Sequence, residues 1–77
     1  MEEAHFPAEA PDRQVRNLLL ALETRTLIGQ ATGILMERYH LGPRAAVAAL
    51  IRLSSTSHRN MRAIAGELVE KGHVQGL

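Results

Sequence analysis

The stretch "DRQVRNLLLALETRTLIGQATGILMERY", residues 12–39, decides the fold. Asp12 is a suitable N-cap, and nothing stronger than a single glycine interrupts the pattern before Tyr39, so the stretch reads as one helix. About 28 residues rising 1.5 Å each would span ~42 Å. Gly29 and Gly33 sit four apart within it, and each costs a helix about 1 kcal/mol relative to alanine. Their missing side chains call for a reason: internal packing, a second helix at close range, or the backbone of a ligand.

The remaining helical segments are shorter. Gly42 and Pro43 punctuate the chain, with Pro43 suited to the first position of a second helix, "PRAAVAALIRL", which places Ala46, Leu50 and Leu53 on one face. The polar run "SSTS" breaks that pattern, and Ser57 is the expected N-cap of a third helix opened by Arg59 and Arg62. Met61, Ile64, Ala65 and Leu68 follow at i, i+3, i+4 and i+7, and Gly72 is the expected stop. No strand signal appears, so the fold class is all-α. The organisation predicted is an acidic, disordered tail over 1–11, which holds Pro7 and Pro11, then a coiled-coil segment over 12–23. A three-helix bundle over 24–72 and a C-terminal tail over 73–77 complete it.

The second and third helices, roughly 15 to 20 Å long, cover only half of the first. Leu27, Ile28, Ala31, Ile34 and Leu35 share a face, which assigns the C-terminal half to the bundle. Val15, Leu18, Leu19, Leu20 and Leu22 remain, and leaving such side chains in water forfeits ~1.5 to 3 kcal/mol each. The same segment of a second chain is their natural cover. Val15, Leu18 and Leu22 have a/d spacing, with Leu19 at an alternative d position, which predicts a long first helix extending into a dimeric coiled coil. Continued downstream, the register passes through Arg25, Gly29, Thr32 and Met36, with Thr26 and Gly33 on the alternative track. The seam thus turns small and polar below Leu22. The glycines face away from the bundle and line a surface that meets another molecule, either a helix across a dimer or a ligand backbone.

Composition narrows the classes. Seventy-seven residues make one small domain, and a chain of this size buries only ~60% of its unfolded surface, which favours an oligomeric contact. With no cysteine, disulfides and thiolate metal sites are excluded. His5, His40, His58 and His73 form no i, i+4 pair, so no metal site is expected. No apolar run approaches the ~20 residues of a membrane span, and "MEEAHFPAEAPD" lacks the features of a signal peptide; a cytoplasmic protein is expected. Net charge is +1, but Glu2, Glu3, Glu9 and Asp12 are concentrated at the start. From Glu37 to Glu67 no other acidic residue occurs, while Arg38, Arg44, Arg52, Arg59 and Arg62 do. Such a segment suits a phosphate-binding surface. The hydroxyls of "SSTSHR" lie beside His58 without a carboxylate to orient it. No catalytic residue, enzymatic activity or cofactor is expected.

The run "ALETRTLIGQATGILMERYHLGPRAAVAALIRLSSTSHRNMRAIAGELV", about two-thirds of the chain, resembles an ANTAR domain. The likeness rests on Arg25, Ile28, Ala31, Gly33, Ile34, Leu35 and Met36, on the "A…L…LS" of the second helix, and on Arg59, Arg62, Ala65 and Leu68. It implies an RNA-binding transcription antitermination regulator, a homodimer that holds paired hairpin loops in nascent leader RNA and keeps a terminator stem from forming. On this reading the RNA surface comprises Arg25, Gly29, Thr32, Gly33 and Met36 of the first helix with His58, Arg59 and Arg62 near the third, while Val15, Leu18, Leu19 and Leu22 dimerise. Thr32 stands where the family commonly has lysine, Val47 where it has an aromatic, and Ala45 where an acidic residue is common. His58 stands where asparagine is frequent at the start of the third helix. Such domains usually follow a receiver or sensor domain, for which this chain has no room, so a sensor or a full-length ANTAR relative is a further candidate partner. Two other readings compete. One is a decoy that dimerises with a relative without binding RNA; the other is a helix-turn-helix DNA binder.

Overall fold

The structure, a computed structural model, describes residues 12–77. The tail expected over 1–11 lies outside the described residues. Three helices follow one another: α1 (Arg13–Tyr39), α2 (Pro43–Ser57) and α3 (Met61–Lys71), with no strand among the described residues. No helix of the described residues is long and apolar enough to cross a membrane.

α1 is a single helix of 27 residues. The Asp12 carboxylate accepts a hydrogen bond from the Val15 N–H at 2.9 Å, as an N-cap should. At the other end His40 adopts the left-handed conformation, φ 54°, and its N–H bonds the Met36 carbonyl. Pro43 occupies the first turn of α2 behind Gly42, where its missing N–H leaves no bond unmade.

The boundary between α2 and α3 differs from the sequence expectation. Ser57 does not cap α3; it ends α2, and the polar run Ser54–Ser57 is helical. The hydroxyls explain this. Thr56 donates to the Arg52 carbonyl at 3.0 Å and Ser57 to the Leu53 carbonyl at 2.6 Å, so both groups are satisfied on the helix itself. α2 stops at His58, φ 58°, and the Ser54 hydroxyl ties down the Arg59 carbonyl beyond it. Asn60 is the N-cap of α3, accepting from the Ala63 N–H at 2.8 Å. An asparagine therefore does open the third helix. His58 and Arg59 precede it, and of the expected basic residues only Arg62 lies in its first turn. Gly72 closes α3 at φ 83°.

The core contains Ala31 and Leu35 of α1, Ala46, Leu50 and Leu53 of α2, and Ile64, Ala65 and Leu68 of α3. Val74, within the expected C-terminal tail, joins it at 3% exposure. The Leu77 N–H closes a turn on the Val74 carbonyl at 3.2 Å. Arg38 assists by donating from Nη1 to the Gly72 carbonyl, tying the end of α1 to the end of α3. One arginine of the acid-free window is thus engaged within the bundle.

The bundle covers only the second half of α1. From Asp12 to Glu23 every residue is exposed, and continuous burial contacts start near Leu27. The molecule measures 51 × 24 × 21 Å with a radius of gyration of 16.1 Å, against roughly 11 Å for a compact chain of this length. The difference is the projecting helix.

Candidate functional site

Three surfaces gather the residues singled out in the sequence. The first is the outward face of α1. At 3.6 residues per turn, Gly29 and Gly33 each lie about 160° around the helix from the buried Ala31. Both are exposed, and a methyl group built on either meets no atom within 4 Å. Among the described residues, no neighbour needs the space that these glycines leave. Arg25 shares their exposure. Thr32 and Met36 do not: both are half-buried, Met36 packs against the core, and the Thr32 hydroxyl donates to the Ile28 carbonyl at 2.6 Å. The heptad stripe thus splits. Arg25, Gly29 and Gly33 form its open part, and Thr32 and Met36 its margin toward the bundle.

The second surface is the bare half of α1. Val15, Leu18, Leu19, Leu20 and Leu22 are exposed to between 37% and 62%. Val15, Leu18 and Leu22 fall on one side of the helix. Leu20 lies about 160° from Leu22 and in line with Leu27 two turns below, so a two-stranded seam along Val15, Leu18 and Leu22 leaves it uncovered. Leu19 and Leu20 line a shallow depression with Arg16 and Glu23.

The third surface is a groove between α1 and α3, lined by Leu27, Arg59, Arg62, Gly66, Glu67 and Lys71 among others. It holds both basic residues expected near the third helix, and each is paired. Arg59 Nη1 donates to Glu67 Oε1 at 2.6 Å, and Arg62 Nη2 donates to Glu23 Oε1 at 3.0 Å. The hydrogen bond from Arg59 holds the Glu67 carboxyl below its ordinary pKa. Nothing in the sequence announced these partners. Glu23 is 39 residues from Arg62, and Glu67 is eight from Arg59 across a helix start, a spacing no helical rule pairs.

The fold therefore brings Arg59 and Arg62 together but keeps them off the glycine face. Glu23, which marks where Arg62 meets α1, lies about 120° around the helix from Gly29 and about 80° from Gly33. A ligand touching both surfaces must wrap a quarter to a third of the way around α1. His58 is exposed, in its left-handed conformation at the end of α2.

Residues 16–69, most of the chain and all three helices in the greater part, match the family model of the ANTAR domain. No curated protein and no solved structure matches the chain.

Proposed function

The chain belongs to the ANTAR domain family, which is associated with RNA-binding antitermination regulators, and from that premise we propose that it binds RNA as a homodimer in the cytoplasm. Its ligand would be paired hairpin loops in nascent leader transcripts, whose capture keeps a terminator stem from forming. Unstacked loop bases are open to side chains in a way that the deep groove of an A-form stem is not. Arginines engage phosphates, a contact that supplies most of the affinity and little of the specificity. Two bundles on one coiled coil would take two hairpins on one RNA, which raises affinity through effective concentration.

One observation carries this reading beyond the family match: the open face at Arg25, Gly29 and Gly33. Two glycines that serve no contact among the described residues still lower the helix propensity, and close approach by an outside backbone accounts for them. The groove at Arg59 and Arg62 supplies the phosphate contacts, and the apolar segment from Val15 to Leu22 supplies the dimer contact. A sensor or full-length ANTAR relative pairing through that same segment would supply the signal input.

The test measures binding of an RNA with two hexaloop hairpins against duplex DNA of equal length across a salt series. Preference for the RNA, with Arg62→Ala weakening it and lowering the salt slope by about one unit, is the expected result. Thr32→Lys should strengthen binding if the margin of the glycine face borders phosphate. Equal binding to DNA would favour the helix-turn-helix alternative. Dimerisation without RNA binding would leave the decoy.

A further inference from the structure

Each arginine of the α1–α3 groove already holds an oxyanion. Glu67 bonds Arg59 and Glu23 bonds Arg62, in each case through one nitrogen and one oxygen. The carboxylates come from different elements, Glu23 from α1 and Glu67 from α3 itself. Neither pair is fully enclosed: 49% of the Arg62 side chain and 61% of that of Glu23 remain exposed, against 43% for Arg59 and 23% for Glu67. Among the described residues, Arg25, Arg44 and Arg52 have no carboxylate within 4 Å. Among the described residues, the ion pairs are confined to the two arginines that share the groove.

A carboxylate and a phosphodiester compete for the same guanidinium edge, because both offer anionic oxygens to its planar donors. We propose that Glu23 and Glu67 act as internal competitors of RNA phosphate at Arg62 and Arg59, holding down the affinity of the groove. The inference rests on the RNA-binding reading above. Exposed ion pairs are weak, so a phosphate that reaches one arginine displaces its carboxylate at small cost. The freed carboxylate stays beside the bound phosphate and repels it. A ligand that engages both arginines together pays both displacements but gains two phosphate contacts. One that reaches a single arginine, as a randomly placed duplex phosphate does, gains least. The carboxylates thus lower the affinity of every ligand that uses the groove, and most of all that of one engaging both arginines.

The experiment is a thermodynamic cycle on the full chain with the two-hairpin RNA. Glu23→Gln and Glu67→Gln, which keep the side-chain shape, should each tighten RNA binding about 1.5- to 5-fold. The double variant should tighten binding of the two-hairpin RNA by about the product of the two factors, since each removes one displacement. In the Arg62→Ala background, Glu23→Gln should no longer tighten binding. Glu70→Gln, which neutralises another carboxylate of the groove, gives the through-space contribution, and its gain should be the smaller one. Weaker binding by Glu23→Gln would overturn the proposal and make the carboxylate a positioning group that holds Arg62 for RNA. A gain that persists without Arg62, or that Glu70→Gln matches, would reduce the effect to general repulsion and also overturn it. Weaker binding by Arg62→Ala with no gain from either glutamine variant refutes this inference while leaving the RNA-binding reading intact. If no form of the protein binds the hairpins, the RNA-binding reading falls, and this inference with it.

Discussion

The two halves of α1 have the same backbone and similar apolar content, yet only one is packed. Around Leu27, Ile28, Ala31, Ile34 and Leu35 the apolar residues fall on the side that α2 and α3 cover, and Ala31 and Leu35 are fully buried. Around Leu18, Leu19, Leu20 and Leu22 they are exposed by about half or more, and Leu20 points along the opposite side from Leu22. A helix thus remains regular far past the end of its own core. Amphipathic order in the lower half comes from the bundle it joins. In the upper half no other described residue covers the apolar side chains.

The largest effect expected within this comparison is at Leu35. Leu35→Ala should destabilise the bundle by about 2 to 5 kcal/mol, the range for fully buried leucines, whatever the protein concentration in a urea titration. The bare half should respond differently. Leu18→Glu with Leu22→Glu should leave the bundle folded by circular dichroism and convert a dimer to a monomer in sedimentation. With it should vanish the rise of melting temperature with concentration. An unmodified protein that sediments as a monomer at tens of micromolar would break the comparison, for then the upper half needs no partner.

A smaller effect sharpens the boundary between the halves. Gly29→Ala and Gly33→Ala meet open space, so each should stabilise the helix by about 1 kcal/mol. Weaker hairpin binding by the same variants would assign the face to RNA. Weaker self-association would assign it to the dimer instead.

The smallest effect is that of acid on Glu67. Its pKa is lowered in the folded chain, chiefly by the hydrogen bond from Arg59. A carboxyl of this kind contributes stability above its unfolded pKa, and the contribution is lost as pH falls through the folded value. Thermal melts taken downward through the carboxylate range should therefore lose slightly less stability in Glu67→Gln than in the unmodified protein. No difference would mean that the Arg59–Glu67 pair is not held in solution.

Most of the fold was legible because it rests on local rules. Asp12, Pro43 and Gly72 mark helix ends by their own chemistry, and the stripes through Leu35, Leu50 and Leu68 follow from helical period. "SSTS" misled because serine and threonine suit both a turn and a back-bonded helix end, and only the α2–α3 geometry chooses. Val74 escaped because a single valine has no period, and its burial depends on how the chain turns after Gly72. The placement of the candidate site residues was legible in part for the same reason. The glycine face follows from counting around one helix. The partners of Arg59 and Arg62 do not, since bringing Glu23 to α3 is a property of packing, and an acid-free run of sequence does not make an acid-free surface.

The straight, uninterrupted course of α1 also works as a ruler. In a dimer joined through residues 15–22, a rigid helix fixes the interval between the two copies of Gly29, and strand orientation selects which interval. A parallel pair packs the axes about 10 Å apart over residues 15–22 and leaves the two copies of Gly29 only as far apart as the helices splay below Leu22. An antiparallel pair crossing midway along that segment holds them roughly 30 Å apart, the rise of some twenty helical residues. Spin labels near position 29 would tell the two orientations apart, and with them the separation at which two ligands must present themselves.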